Sequence, residues 1–166
     1  MPKYSPEMIR TAALVGHGGA GKTTLAEALL QRAGAISVSG SVEKGTTVCD
    51  FDPLEKTYQH SLSASIVHLN AGETRIHIID TPGLPDFAGR ALGALPAVET
   101  AAIVVNAQNG LEMMTKRMMQ WAARRKLCRM IVVNKIDADH IDLPALLEAI
   151  QSAFGRECLP INLPAD

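Results

Sequence analysis

Gly16-His17-Gly18-Gly19-Ala20-Gly21-Lys22-Thr23 decides the reading of the chain, because it fits the pattern G-x-x-x-x-G-K-[ST] of a loop that grips phosphate. Its glycines let successive backbone N–H groups converge on phosphate oxygens with no side chain in the way. Upstream, Thr11-Ala12-Ala13-Leu14-Val15 is short and apolar and reads as a strand. Downstream, Lys22 to Arg32 consists of strong helix formers, with Leu25, Leu29 and Leu30 supplying an apolar face. Strand, glycine loop and helix together are the context the pattern requires. The helix directs the positive end of its dipole at the loop. Residues Gly16 to Thr24 are therefore expected to enclose phosphates. Lys22 would neutralise the outer two and the charge that develops in a transition state, and the Thr23 hydroxyl would take a place on Mg²⁺.

Working outward, apolar runs alternate with helical stretches, which predicts an α/β fold. Ser63–Leu69 and Thr74–Asp80 read as a hairpin turning at Asn70-Ala71-Gly72-Glu73. Ala101–Ala107 and Met130–Asn134 are continuous apolar runs, as in parallel strands buried on both faces. Met114, Met118, Trp121 and Ala122 recur at helical spacing and read as core, with Trp121 buried. Leu143–Phe154 predicts a further amphipathic helix, and Glu157–Leu163 one more strand. The polar, glycine-rich stretch from Gly34 to about Tyr58 reads as a mobile loop. The expected fold is a mostly parallel sheet with one antiparallel hairpin strand and helices on both faces. Ligands should lie at the C-terminal strand ends, where Gly16, Asp80 and Asn134 terminate runs.

Two further motifs sit at those ends. Asn134-Lys135-Ile136-Asp137 selects the base: a carboxylate at Asp137 accepts from guanine N1–H and the 2-amino group, a pair adenine does not offer. Such a site discriminates on the order of 10⁴-fold. Asn134 and Lys135 would brace the loop and cover the base. Asp80-Thr81-Pro82-Gly83 closes the hairpin strand. There Asp80 would hold Mg²⁺ through water, and the Gly83 N–H would sense a γ-phosphate oxygen.

Composition narrows the classes. With 47% hydrophobic and 20% charged residues the chain has material for a core and no disorder signature. A formal net charge of −1 argues against a globally basic nucleic-acid binder, and sequence-specific DNA binding is not expected. No apolar run approaches the ~18 residues needed to span a bilayer, and the first residues lack a signal-peptide core, so a cytoplasmic protein without a membrane partner is expected. Cys49, Cys128 and Cys158 are scattered and read as reduced thiols.

The three motifs in this order resemble the GTP-binding domain of translational GTPases, the elongation factor G group in particular, and its divergent elongation factor G-like members. Gly-His opening the loop, Asp-Thr-Pro-Gly followed by Asp86-Phe87, and Asn-Lys-Ile-Asp carry the likeness, which runs through nearly the whole chain. It implies a P-loop fold of the Ras-like G-domain kind and a GTPase that binds GTP and GDP with Mg²⁺. In the full-length protein the ribosome would be a partner. By this pattern residues 16–23 are the phosphate loop, about 34–62 the first switch, 80–90 the second switch and 134–137 the guanine loop. The family's first switch closes a threonine on Mg²⁺, and the aligned residue is Ser61, whose hydroxyl can do the same work. The family's last base-contacting loop lies beyond position 166. The chain thus reads as 1–166 of a GTP-binding domain cut within its C-terminal part, and is expected to bind nucleotide weakly. Ser152-Ala153-Phe154 imitates that loop but reads as helix interior.

Two departures fall on hydrolysis. Where the family places a histidine that positions water, this chain has Leu84, which has neither donor nor acceptor. Loss of such a group costs about 10²–10⁴ in rate. Gly19 stands where many relatives carry an aspartate. The expectation is slow hydrolysis; the alternative is a regulatory module that holds GTP or GDP without turnover. An ATP-dependent small-molecule kinase fits the phosphate loop but conflicts with Asn134–Asp137. Lys116, Arg117, Arg124, Arg125, Lys126 and Arg129 form a basic group read as a solvated face, with an RNA contact as its alternative.

Overall fold

In the computed structural model, which describes residues 4–164, one five-stranded sheet forms the centre of the molecule. Strand β1 (Ile9–Gly16) lies in the middle, between β3 (Thr74–Asp80) and β4 (Thr100–Asn106), and is parallel to both. Beyond β4 comes β5 (Cys128–Asn134), again parallel, and β2 (Ser65–Ala71) pairs antiparallel with β3 at the other edge. The hairpin turn tightens to Gly72-Glu73, because Ala71 already pairs with Thr74.

The apolar runs of β1 and β4 are explained by cover on both faces. On one side α1 (Lys22–Arg32) places Ala26 and Leu30 against Leu14, Ile78, Ala102 and Val104. On the other, α3 (Ala88–Ala94) and α4 (Met113–Arg124) place Ala91, Met114, Met118 and Ala122 against Ala13, Val15, Ile103 and Val105. The methionine stripe is core, as expected: Met114 and Met118 are fully buried. α5 (Leu143–Phe154) buries Leu146 and Ile150 and packs Phe154 on the same side, so Ser152-Ala153-Phe154 is helix. None of the three cysteines is in a disulfide.

Four expectations need correction. The stretch from Gly34 to Tyr58 is not all loop, for it contains α2 (Pro53–Tyr58). Asp52 caps that helix, accepting from Leu54 N, and the Glu55 carboxylate accepts from Asp52 N in return. β5 is not buried on both faces: among the described residues nothing pairs with its outer edge, and Cys128, Arg129 and Met130 are exposed. Residues 157–163 form no strand, and Leu159, Ile161 and Leu163 stand in solvent. Trp121 is half-exposed rather than buried. No helix among the described residues is long and apolar enough to cross a membrane.

Candidate nucleotide and magnesium site

The parallel strands deliver their C-terminal ends to one side of the sheet, so Gly16, Asp80, Asn106 and Asn134 terminate together. The phosphate loop occupies the gap between β1 and α1. Gly21 adopts φ 90°, the left-handed region that a side chain resists, and a Cβ there would collide with the Asn134 amide nitrogen. That amide donates to Ala20 O at 3.0 Å, tying the end of β5 to the glycine-rich loop across 114 residues. Lys22, 6% exposed, folds over the loop and donates to His17 O at 2.7 Å and Gly16 O at 3.3 Å. Burial pushes its ammonium down to about 8, against the pull of Asp80 and Glu112. Gly19 and Thr24 are exposed, and Ala20 is buried beneath the loop.

Beside the loop five oxygen-bearing side chains converge. Thr23 Oγ1 donates to Asp80 Oδ2 at 2.6 Å and lies 3.3 Å from Ser61 Oγ. Ser61 Oγ donates to Asp50 Oδ1 at 2.8 Å, and Thr47 Oγ1 donates to Asp50 Oδ2 at the same distance. Three expected magnesium holders, Thr23, Ser61 and Asp80, thus come together from three separate parts of the chain. Asp80 is 1% exposed, and burial pushes its carboxyl up to about 6 despite the hydrogen bond from Thr23 and the nearby Lys22. Its second oxygen, Oδ1, is buried with no partner. An orphaned carboxylate oxygen beside two hydroxyls is the hard, oxygen-only donor set that Mg²⁺ takes. Among the described residues no three His, Cys, Asp or Glu side chains gather into a metal cluster. Mg²⁺ with few protein ligands draws the rest of its shell from water and substrate phosphates.

The turn after β3 presses on the loop. Gly83 is buried, and a Cβ there would collide with Lys22 Nζ and stand 2.6 Å from the Gly18 nitrogen. Only glycine fits this approach. Leu84 leans over Gly18, its Cδ2 2.9 Å from where a Gly18 Cβ would be. The Thr81 hydroxyl donates to Leu14 O at 2.7 Å and fixes where β3 ends relative to β1. His60 turns to its own backbone, Nδ1 2.7 Å from Tyr58 O.

Several site residues escape a reading of sequence alone. Glu27 of α1 is fully buried, and its two oxygens accept from Gly40 N and Val48 N. Glu55, 1% exposed, accepts from Leu62 N and Ser63 N beside Ser61. Asp50 orients Ser61, as described above. His17 Nε2 lies 3.3 Å from Glu112 Oε1, while its Nδ1 is buried without a partner. No spacing rule announces these contacts; the capping pair Asp52 and Glu55 is the one signal present. Lys135 (φ 60°) and Asp137 lie exposed in the turn after β5. A cavity of about 500 Å³ between the loops after β4 and β5 is lined by Gln108, Asn109, Asp139 and His140, and not by Asn134, Lys135 or Asp137.

A phosphate loop on a central parallel strand, an Asp-Thr-Pro-Gly turn against it and an Asn-Lys-x-Asp turn braced to it define a P-loop GTPase domain. The model of the elongation factor Tu GTP binding domain matches residues 7–161, and the chain belongs to that family. It is 39% identical over 160 residues to an elongation factor G-like protein of Mycobacterium tuberculosis H37Rv, a match covering 96% of this chain and 22% of that protein. It is 34% identical over 166 residues to peptide chain release factor 3 of Enterococcus faecalis, covering 98% of this chain and 32% of the relative. A crystal structure from Thermus thermophilus superposes with a TM-score of 0.86 at 43% identity, over 89% of this chain and 22% of that one. The chain therefore spans between a fifth and a third of the proteins it resembles.

Proposed function

We propose that this chain binds GTP and GDP with Mg²⁺ and hydrolyses GTP slowly, as the switch domain of an elongation factor G-like translation factor with the ribosome as partner. The observation that carries the reading is the meeting of Thr23, Ser61 and Asp80, with its unpartnered Oδ1, within the electrostatic reach of Lys22. In this reading the backbone amides of Gly16–Thr24 bind the phosphates, and Lys22 supplies positive charge to the outer two. Thr23 and Ser61 would bind the metal directly, and Asp80 through water. Bound Mg²⁺ supplies charge neutralisation to the phosphates. The Gly83 amide senses the γ-phosphate, Asn134 and Lys135 brace the base loop, and Asp137 reads guanine. Relatives named as an elongation factor G-like protein and a release factor support the assignment to translation.

The slow rate follows from Leu84, whose methyl groups lie over Gly18, where they can neither orient water nor stabilise charge. GTP turnover by the natural chain and by Leu84→His tests it, with the histidine variant expected at least ten-fold faster. Equal rates would sink the inference. The second reading, a module that holds guanine nucleotide without turnover, is favoured by the same leucine. It predicts phosphate release no faster than from Lys22→Ala.

A further inference from the structure

Charge along this chain is segregated. From Met113 to Ile136 there is no Asp or Glu, and this stretch carries seven Lys and Arg, while the rest of the chain has nine basic against seventeen acidic residues. Six of the seven lie on α4 or just beyond it. Lys116, Arg117 and Arg124 share its solvent face, and Arg125 and Lys126 follow at its C-terminal end, where Lys126 turns the chain at φ 56°. Arg129, at the start of β5, reaches back so that its guanidinium lies 3.8 Å from Met119 Sδ on α4. All six are exposed, and among the described residues none lies within ion-pair distance of a carboxylate. The end of α4 and the start of β5 are at the pole opposite the strand ends that form the nucleotide site.

We infer that the exposed face of α4, with Arg125, Lys126 and Arg129, is a docking surface for the phosphate backbone of folded RNA. A dipole argument explains cations in the last turn of a helix, but not Lys116 and Arg117 near its start, nor Arg129 on a strand. A polyanion accounts for all six. Two observations favour RNA over an acidic protein. Four of the six cations are arginines, whose planar forks match phosphate oxygens. Most apolar residues of α4 are committed elsewhere: Met114, Met118, Met119 and Ala122 are buried, and the exposed Met113 is the helix's first residue, away from Arg124, Arg125 and Lys126, so toward that end α4 offers a protein partner only the half-exposed Trp121. The recognition is of backbone and shape, so it carries little sequence preference. It is separate from the nucleotide reading and stands or falls without it.

The test is fluorescence anisotropy of the chain, free of nucleotide, with a labelled mixed-sequence RNA duplex between about 50 and 200 mM KCl, the range over which released counterions dominate affinity. The triple variant Arg124→Gln/Arg125→Gln/Lys126→Gln is expected to bind at least ten-fold more weakly. Its plot of log affinity against log salt should be shallower by about two to three, near one per lost phosphate contact. Arg10→Gln/Arg32→Gln/Lys44→Gln makes the same change in net charge elsewhere and is expected to keep both affinity and slope. Thermal melting of each variant separates lost binding from lost folding, and single substitutions replace any triple that melts early. Equal weakening by both triples overturns the proposal, as does an absence of RNA binding at the lowest salt. Tighter binding of polyglutamate than of RNA at matched charge also overturns it, and would assign the surface to an acidic protein.

Discussion

Burial holds the Lys22 ammonium down at about 8, and phosphates bound beside it would restore the preference for the charged form. Binding of GDP at pH 8 is therefore expected to draw in about half a proton at Lys22. Calorimetry in buffers of different ionisation enthalpy reads this directly; equal heats in all buffers at pH 8 would count against it. The same depression has a sign for stability. Between pH 8 and 10.5 the unfolded chain holds the Lys22 proton that the folded chain has given up, so stability rises over that window. The gain is on the order of 3 kcal/mol at most relative to Lys22→Met. Cys49, pushed up to about 12 by burial, contributes with the opposite sign above pH 9 and is common to both proteins. Lys22, Thr23, Asp80 and Asn134 are legible from sequence because motif spacing encodes a backbone shape. Asp50, Glu27 and Glu55 are not, because their work is to hold loop amides that only the folded chain brings near them.

Among elements, α1, α4, α5 and β3 are readable because periodicity and a glycine loop mark them. The six-residue α2 is too short to show a helical repeat, and only its capping pair announces it. Replacing Asp52 with Ala is expected to cost about 1 kcal/mol and to speed amide exchange at Leu54. Glu27→Ala reaches further. It leaves the amides of Gly40 and Val48 without acceptors, at about 1–3 kcal/mol each if they stay buried. The segment is then expected to detach from α1 and become the first site of limited proteolysis, while cleavage unchanged from the natural chain would show that Glu27 does not hold it. At β5 the sequence misleads, because an apolar run says that a strand wants cover, not that cover is present.

On the scale of the whole molecule that uncovered edge is a liability. Half-exposed Ile131 and Val133 and the exposed Met130 stand on a strand whose outer amides and carbonyls have no partner among the described residues. The chain is expected to self-associate at high concentration, and Met130→Lys to shift its sedimentation toward monomer. The strand order has a consequence of another kind. The strand synthesised first is the centre of the sheet, and its partners come late: Ile9 waits for Arg75, and Ala12 for Thr100. At about 5–20 residues per second a nascent chain displays Ala13-Leu14-Val15 for on the order of ten seconds before β4 leaves the exit tunnel. During translation this segment is expected to be open to capture by a chaperone until those partners arrive.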